Sequence, residues 1–308
     1  MRAGRVFSSL LAGLALTYGS AQAADPLTIC VNENAAPYSA RLKTGAAGFD
    51  LAVAAALAQR LGRPLILQWF EDKLDFESSS ALEANAMLSD GRCQLVAGYP
   101  LSEDALGKPG SPTARLPGFE GALPADRRRK VELGTLQASK PYHFAPLTII
   151  LGGGALGKSI TSLADLDGVR IGTEGGTLGD AILMLFDGGR LIDRITHFAP
   201  GRGQLWPGLE RGDVDATLAP LHRFDAYRTQ HKDTRLRPSG YVYPLGFNLG
   251  FAGLARDAAL LAEVDASLAA MLASGEIAAL APAAGMTYEA PRAPDIRKPV
   301  QTSDLQKP

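Results

Sequence analysis

Short apolar runs alternate with helical patterns in the first third of the chain, and this alternation restricts the fold more than any other feature. Residues 27–31, 65–69 and 94–97 are typical of short buried strands. Between them, residues 50–61 carry an apolar face at helical spacing, and residues 80–91 begin with capping-box spacing and end in glycine. Strands and helices in this order form a parallel sheet with right-handed crossovers. The pattern therefore predicts an α/β fold.

A second run of the same kind begins near residue 150. Strands are predicted at 169–172, 195–198 and 214–218, with a helix at 178–186 and a short helix that ends at 209–211. The 308-residue length is enough for two such units. Extended segments at 141–151 and 241–249 flank the second unit. In α/β sheets ligands bind outside the carboxyl ends of the strands, so we expect a site there.

Three further segments have distinct compositions. Residues 257–272 form a strong amphipathic helical pattern. Residues 101–129 are rich in glycine, proline and charge, which predicts a long loop that serves as a lid, a partner surface or an unstructured excursion. Residues 286–308 are rich in proline and polar residues, so we expect a disordered tail.

The N-terminus carries the signature of export. Two arginines precede an apolar stretch over residues 6–18, and Ala21-Gln22-Ala23 supplies a small-x-small cleavage pattern. A membrane anchor is the alternative, but it needs about 20 apolar residues and this stretch is shorter. We therefore expect residues 1–23 to be a signal peptide cut after Ala23, and the mature protein to work in the periplasm. In that oxidising space Cys30 and Cys93 form either one disulfide or a pair of buried thiols.

Composition excludes several classes of protein. The formal net charge is −1, which gives no electrostatic reason to expect nucleic acid. No second long apolar run exists, so a polytopic membrane protein is excluded. The four histidines lack metal-ligand spacing, and no Gly-x-Ser-x-Gly elbow is present. The sequence therefore predicts no metal, no cofactor and no covalent catalysis.

An ordered set of short motifs resembles the family 3 extracellular solute-binding proteins, the periplasmic receptors of ABC importers. The motifs are Pro37-Tyr38, Gly48-Phe49-Asp50-Leu51, Arg60-Leu61-Gly62, Ser139-Lys140-Pro141-Tyr142, 166–172, Gly176-Thr177 and Gly212-Asp213-Val214-Asp215-Ala216. The resemblance implies the two-lobed periplasmic-binding-protein fold (type II), with two α/β halves joined by two hinge crossings. It places lobe 1 at 26–142 and 247–285, and lobe 2 at 150–242.

Two segments resemble a subfamily more closely. Residues 30–39 and 91–100 are similar to the cysteine-containing segments of solute-binding-like proteins associated with quinoprotein alcohol dehydrogenases, the methanol-oxidation J type. This resemblance implies that Cys30 and Cys93 are bonded to each other. The second lobe departs from the subfamily, because Ala219-Pro220 stands where a Trp-Gly-Pro is expected.

Candidate ligand-binding residues lie at the predicted strand ends and hinge. Gly176 and Thr177 precede a helix, where free N–H groups bind an anion or where Thr177 simply caps the helix. Aromatic residues near the strand ends either stack on a ligand or pack in the core. The full set of predicted ligand-binding residues is Asn32, Tyr38, Trp69, Tyr99, Tyr142, Gly176, Thr177 and Pro220.

The charge partners of an amino-acid ligand are missing. In the family, an arginine ten residues before the hinge tyrosine binds the ligand carboxylate, and here that position is Glu132. The nearest arginines, 127–129, are shifted and are typical of a solvated face. The aspartate that binds the ligand amine is replaced by Pro220. We therefore expect weak or no binding of ordinary amino acids.

Two other features have a competing interpretation. Residues 152–159 match the P-loop pattern Gly-x4-Gly-Lys-Ser, but the following helix would be short and no strand ending in a Mg²⁺-binding Asp is apparent, so a flexible hinge loop is favoured. Four acids near strand ends, Glu33, Glu71, Asp72 and Glu174, are the candidates for an acid/base enzyme on this fold.

The function expected first is a periplasmic solute-binding protein, not an enzyme, that captures a small polar solute between two lobes for an ABC permease. The second is an accessory protein of a periplasmic quinoprotein (PQQ) alcohol dehydrogenase. The third is a cleft enzyme. In each case we expect a monomer without stable membrane insertion and without nucleic acid as a partner.

Overall fold

The computed structural model describes residues 24–43, 45–71, 80–126 and 129–306. The predicted signal peptide at 1–23 lies outside the described residues. Within the part of the chain that is described, no single helix is long and apolar enough to cross a membrane. The stretches Ala255–Ala273 and Glu276–Ala284 meet that criterion only when they are taken together across a 77° bend.

Both predicted α/β runs are present. The helices are α1 (Phe49–Arg60), α2 (Ser80–Ser89), α3 (Leu178–Leu185), α4 (Leu205–Arg211), α5 (Leu221–Gln230), α6 (Ala258–Ala273), α7 (Glu276–Leu280) and α8 (Thr302–Leu305). The strands are β1 (Leu27–Asn32), β2 (Asn34–Ala35), β3 (Ser39–Leu42), β4 (Gly45–Ala47), β5 (Leu65–Glu71), β6 (Leu95–Pro100), β7 (Thr113–Arg115), β8 (Gly118–Phe119), β9 (Lys130–Glu132), β10 (Leu136–Ala138), β11 (His143–Leu151), β12 (Ile171–Glu174), β13 (Ile195–Phe198), β14 (Ala216–Pro220) and β15 (Arg237–Leu254).

The first half, which we call lobe 1, is built on β1, β5 and β6 with α1, α2 and α6. β1 pairs in parallel with β5 on one side and β6 on the other, as the alternating pattern predicts. The apolar residues of β1 pack with those of α1 and α6 in one buried cluster that includes Ile29, Leu57 and Leu261. Burying these side chains stabilises the fold by about 1.5–3 kcal/mol each.

The second half, which we call lobe 2, repeats the arrangement with β12, β13 and β14. β12 pairs in parallel with both of the other strands. α3 packs Ile182 and Leu183 onto this sheet in a cluster with Ile171 and Leu218. The two lobes therefore have separate apolar cores, as a two-lobed fold requires. The limits predicted for them, 26–142 with 247–285 and 150–242, stay a prediction.

Two long strands connect the lobes. β11 and β15 pair in antiparallel fashion from His143 opposite Leu249 to Leu151 opposite Arg237. β11 also pairs with β14 of lobe 2, and β15 pairs with β6 of lobe 1. The halves are therefore joined in one ten-stranded mixed sheet, where the resemblance implied two separate α/β halves. Within this sheet the lobes are joined by the two crossing strands, which are the expected hinge crossings.

A disulfide connects two neighbouring strands inside the sheet of lobe 1. Cys30 on β1 and Cys93, just before β6, are bonded and both are buried. The bond confirms the pairing that the resemblance implied. It holds two neighbouring parallel strands whose carboxyl ends form one wall of the site described below.

The C-terminal segment corrects a prediction. Residues 286–306 are not a free tail but lie along both lobes, from Met286 in the core of lobe 1 to Val300 and Leu305 against the core of lobe 2. The backbone of this segment is held by side chains of β15 and its own arginine. The Asn248 Nδ2 lies 2.6–3.1 Å from the carbonyl oxygens of Arg292, Pro294 and Asp295, and Arg297 donates to the Gly246 carbonyl at 2.9 Å. Because other residues satisfy its backbone, a proline-rich segment can be ordered without helix or strand of its own.

The segment predicted as a long loop contains short strands. β7 pairs with β9, and β8 pairs with β5, so residues 113–119 are attached to lobe 1. Leu101 and Leu116 are buried in a cluster with Cys30. Arg127 and Arg128 lie outside the described residues.

The glycine-rich loop at 152–159 surrounds a carboxylate of the chain itself. Asp215 accepts the N–H of Gly154 at 2.8 Å and pairs with Arg170 through two bonds of 2.8 Å. Gly153 has φ +46°, and a Cβ there would lie 2.6 Å from an Asp215 oxygen. The glycines are therefore explained by close approach to Asp215 rather than to a phosphate, and the flexible hinge loop stays a prediction.

Candidate functional site

The cleft between the lobes is lined by three adjoining cavities. The mouth pocket, about 710 Å³, lies between residues 32–38 of lobe 1 and the α4 and α5 residues of lobe 2. The lobe-1 pocket, about 440 Å³, lies over the ends of β1 and β6. The lobe-2 pocket, about 160 Å³, lies over β12 and β14. His222 lines all three cavities, so they form one continuous site at the strand ends where the sequence predicts one.

Tyr38 is positioned by the first turn of α1. The N–H groups of Asp50 and Phe49 donate to the carbonyls of Tyr38 and Pro37 at 2.8 and 3.0 Å. Gly48 permits this approach, because its φ is +146° and a Cβ there would lie 2.2 Å from the Tyr38 carbonyl oxygen. The glycine of the Gly-Phe-Asp motif is thus required to set Tyr38 at the edge of the cleft.

His222 faces Tyr38 from the opposite lobe. It lies in the first turn of α5, directly after Pro220 and Leu221, and its ring centroid is 4.7 Å from that of Tyr38. Burial lowers the pKa of His222 to about 3, and the charges of Arg223 and His143 act in the same direction. The imidazole is therefore neutral at physiological pH.

Three buried polar atoms in the cleft have no hydrogen-bond partner. They are the Tyr38 hydroxyl, Thr217 Oγ1 and His222 Nδ1, and among the described residues no other buried side-chain nitrogen or oxygen is left without one. Each of the three residues lines at least one of the cavities. Because an unsatisfied buried polar group costs about 1–3 kcal/mol, a cluster of them in a cavity marks a place where a ligand can supply the missing bonds.

The charged groups of the cleft are already paired. Arg223 donates to the Glu174 carboxylate at 3.1 Å, and Glu174 is largely buried. On lobe 1, Asp50 accepts a 2.8 Å hydrogen bond from the hydroxyl of Tyr142, which in turn accepts the N–H of Gly98 at 2.7 Å. Burial raises the pKa of Asp50 to about 7, against the lowering effect of the Tyr142 hydrogen bond.

A row of aromatic rings forms the lobe-2 wall of the mouth pocket. Trp206 stacks on Tyr227 with centroids 5.6 Å apart, and Tyr227 stacks on His231 at 4.0 Å. All three residues line the mouth pocket. Sequence reasoning missed this row, because its members come from two helices and share no motif.

Of the predicted site residues, Asn32, Tyr38, Tyr99, Thr177 and Pro220 line the cleft cavities. The Asn32 side chain accepts the N–H of Asn34 at 2.8 Å, and the Tyr99 hydroxyl donates to the Ala105 carbonyl at 2.5 Å. Pro220 ends β14 opposite Leu147. These side chains therefore shape the cleft, but only Tyr38 among them has an unpartnered polar atom.

Two predicted residues, Trp69 and Tyr142, lie in the core rather than on the cavities. Trp69 packs in the lobe-1 cluster, with the Arg41 guanidinium 5.9 Å from its ring. Tyr142 is fully buried against Asp50 and Gly98 and links the hinge to α1. For these two aromatics the packing interpretation describes the structure.

The predicted anion site at Gly176 and Thr177 is occupied by the chain. The N–H of Gly176 donates to one Asp180 carboxylate oxygen at 2.8 Å, and His197 contacts the other at 2.9 Å. Thr177 caps α3 by accepting the N–H of Asp180. Thr177 therefore caps the helix, and the Asp180 carboxylate takes the Gly176 N–H that a ligand carboxylate would use.

His222 and Thr217 are the functional candidates that the sequence did not indicate. The histidines were considered only as metal ligands, and among the described residues no group of three or more His, Cys, Asp or Glu could hold a metal ion. The available signal for His222 was its position two residues after Pro220, at the end of a strand. Thr217 stands among apolar residues inside β14, which is typical of a core position.

The acids proposed for enzymatic work are not assembled in the cleft. Glu174 is paired with Arg223, and Glu33 lines none of the three cavities. Asp72 lies outside the described residues. No second carboxylate accompanies Glu174 along the described wall of the lobe-2 pocket.

No family model matches this sequence, and no curated protein matches it. Solved structures do match. The L-cystine solute receptor of Neisseria gonorrhoeae in its unliganded open conformation is 17% identical, with 83% of this chain and 91% of that chain covered and a TM-score of 0.56. The second substrate-binding domain of Lactococcus lactis GlnP in the open conformation is 17% identical over 83% and 94%, with a TM-score of 0.58. An ancestral cationic amino acid solute binding protein is 18% identical over 83% and 93%, with a TM-score of 0.55.

These similarities establish the fold. The chain has the two-lobed periplasmic-binding-protein fold. At identities this low the likeness carries no information on the ligand, so function has to be argued from the cleft itself.

Proposed function

We propose that this chain is an exported solute-binding protein that captures a small polar solute between its two lobes. The observation that carries the proposal is the set of three unpartnered buried polar atoms, contributed by both lobes to one continuous cavity. Tyr38 belongs to lobe 1, whereas Thr217 and His222 belong to lobe 2. A solute that bonds to all three would be held by both lobes at once.

Capture needs relative movement of the lobes. The lobes have separate cores and are joined by β11 and β15, whose pairing shifts register between Pro146 and Thr148 and between Thr148 and Ile150. Small changes at such irregular positions allow hinge closure around a ligand. Contacts between the lobes, such as Tyr38 against His222, would then favour the form that encloses the solute.

The physiological setting belongs to the same proposal. The N-terminal signal supports periplasmic location, and the motifs shared with family 3 receptors support delivery of the solute to an ABC permease. The cleft contains no arranged catalytic acids in its described part, which supports binding without chemistry.

A ligand screen tests the proposal. The mature protein is heated with amino acids, sugars, alcohols, amides and organic acids, because a solute that binds only the folded state at 100 times its Kd adds about 2.7 kcal/mol of stability. We expect at least one class to raise the Tm in the wild type and in Ala262→Trp, which changes an exposed site on α6. The gain should vanish in Ala226→Trp, which fills the mouth pocket. A shift that survives Ala226→Trp, or no shift with any solute, would refute the proposal.

A second candidate is an accessory role beside a periplasmic quinoprotein dehydrogenase. It is favoured by the Cys30–Cys93 bond, which joins the two segments that resemble that subfamily. In that case the tagged protein would co-purify with a PQQ-dependent dehydrogenase, and no solute would shift its Tm. Recovery without such a partner would remove this candidate.

A further inference from the structure

The geometry points to an uncharged ligand: we propose that the cleft takes a small neutral solute with hydroxyl, amide or carbonyl groups at one end and a compact apolar group at the other. This inference rests on the proposed function and specifies its substrate class. It departs from the amino acids named for the solved structures of the same fold.

The unpartnered atoms define the polar end. A tyrosine or threonine hydroxyl both donates and accepts one or more hydrogen bonds, and a neutral imidazole nitrogen does one of the two. None of these groups carries charge, since burial also raises the pKa of Tyr38 well above its ordinary value and His222 stays neutral. Neutral donors and acceptors of the ligand are their matching partners.

The cleft has no spare charge for an ionic ligand. Among the described residues lining the three cavities, the acids are Glu174 and Asp50, the only arginine is Arg223, and lysine is absent. A ligand carboxylate that took Arg223 from Glu174 would leave the largely buried Glu174 unpaired, which is strongly unfavourable. A ligand ammonium would compete at Glu174 with the half-exposed Arg223, and at Asp50 it would meet a buried carboxyl whose pKa is raised to about 7, so that burial disfavours its charged form.

A second carboxylate takes a backbone donor at the start of α3. Asp180 lies in the first turn of α3 and accepts the N–H of Gly176; it does not itself line the lobe-2 pocket, whereas Thr177 does. Its interaction with the N–H of Gly176 uses the donor that would otherwise attract a ligand carboxylate. The internal ion therefore disfavours the usual binding mode of an acid at this helix.

The lobe-2 pocket defines the apolar end. Its volume is about 160 Å³, and apart from Thr217 and the Glu174–Arg223 pair its wall is mostly apolar, including Leu147, Leu218 and Phe247. A cavity of this size and lining holds a group comparable to a benzene ring. Thr217 lies on this wall, so a ligand entering the pocket brings its polar atoms to the hydroxyl.

Matched probes test the charge class directly. Calorimetric titration at pH 7 compares the alcohol, primary amide, carboxylate and ammonium forms of propyl, butyl, cyclohexylmethyl and benzyl skeletons, together with the common amino acids. We expect a neutral form of at least one skeleton to bind at least tenfold more tightly than both of its charged counterparts. Binding of that neutral probe should be unchanged between low and high salt.

Two variants link the binding to the proposed atoms. Thr217→Val should weaken the neutral probe about tenfold while it raises the Tm of the free protein, because it removes an unsatisfied buried hydroxyl. Thr196→Val, on the exposed face of β13, should change neither quantity. A purely structural role of Thr217 would move both quantities in the same direction.

The outcomes separate the two proposals. A charged probe or an amino acid that binds more tightly than the neutral forms overturns the neutral-ligand inference and leaves solute capture standing. Full affinity in Thr217→Val also overturns the inference. Binding of no probe in any charge class counts against this inference, and the wider solute screen then decides whether solute capture fails with it.

Discussion

Tyr38, Thr217 and His222 each have one buried polar atom without a hydrogen-bond partner, whereas the other buried side-chain nitrogen and oxygen atoms of the described chain are bonded. Such groups lower stability, so their grouping in one cavity is consistent with a site that is completed by a ligand. Around them, Glu174 forms an ion pair with Arg223, and burial raises the pKa of Asp50, which favours the uncharged form of its carboxyl group. The result is a cleft that offers hydrogen bonds without net charge.

Asp50 should make stability depend on pH. Its folded pKa of about 7 exceeds the ordinary value of 3.8, so the folded state keeps a proton that the unfolded chain loses. Its contribution is therefore complete below pH 4 and is lost as the pH rises to 7, by up to about 4 kcal/mol. Chemical denaturation from pH 4 to 7 should show the stability of the wild type falling relative to Asp50→Asn. The exposed Asp193→Asn serves as control, and a difference that does not change with pH would contradict this assignment.

Gly98 should be intolerant of any side chain. Its φ is +67°, and a Cβ would lie 2.4 Å from an Asp50 carboxylate oxygen. Gly91 has a similar φ of +73° but open space around it. Gly91→Ala should therefore cost about 1 kcal/mol of stability, and Gly98→Ala roughly 3 kcal/mol or more because a buried carboxyl must also move. Equal losses in urea unfolding would show that the contact with Asp50 does not matter.

The regular elements were readable from the sequence because each is either a short apolar run or a helix with one apolar face. β1 ends one residue beyond its predicted limit, and α1 starts and ends one residue before its predicted limits. The site was only partly readable. Tyr38 follows a strand end and lines the cleft cavities, whereas Trp69 and Tyr142 have similar positions and lie in the core away from them. Which way an aromatic side chain points depends on tertiary packing that periodicity does not record.

The disulfide should supply much of the stability of lobe 1. It joins Cys30 on β1 to Cys93, two residues before β6, and closes a loop of 63 residues. On the loop-entropy model this raises the free energy of unfolding by about 4 kcal/mol. The double variant Cys30→Ser/Cys93→Ser should lose about that amount in denaturant unfolding. Reduction of the wild type should give the same loss, while the reduced double variant should not change further. A loss below 1 kcal/mol would argue that the bond is structurally dispensable.

The whole molecule is held together by three connections rather than two. Besides β11 and β15, residues 286–306 run from the lobe-1 core to α3 and the lobe-2 core. Near the start of this segment, Thr287 donates to the fully buried Asp225 of α5 through its N–H at 2.7 Å and its hydroxyl at 3.0 Å. The composition suggested disorder because it records the residues of the segment and not the partners that β15 and α5 provide.

Removal of this third connection should destabilise the protein. Deletion of residues 291–308 exposes the apolar surface of lobe 2 that Val300 and Leu305 cover. It also removes the backbone groups to which the Asn248 amide is bonded. In the full chain, Asn248→Asp should cost about 2 kcal/mol, since it removes the two N–H donors. In the truncated chain the same substitution should cost much less, because its partners are gone. Additive losses in thermal unfolding would mean that the segment and Asn248 act independently.

If the two lobes enclose a neutral solute, the distance between them should change when the solute binds. Spin labels on Ile66→Cys of lobe 1 and Ile192→Cys of lobe 2 occupy exposed positions, and the described chain has no free native cysteine to compete for them. Double electron–electron resonance then measures the distance between the two labels with and without the neutral probe that binds most tightly. We expect the probe to narrow the distances to one population in this background, and about ten times more probe to be needed for the same change when Thr217→Val is added. An identical distance distribution with and without the bound probe would contradict enclosure of the solute between the lobes.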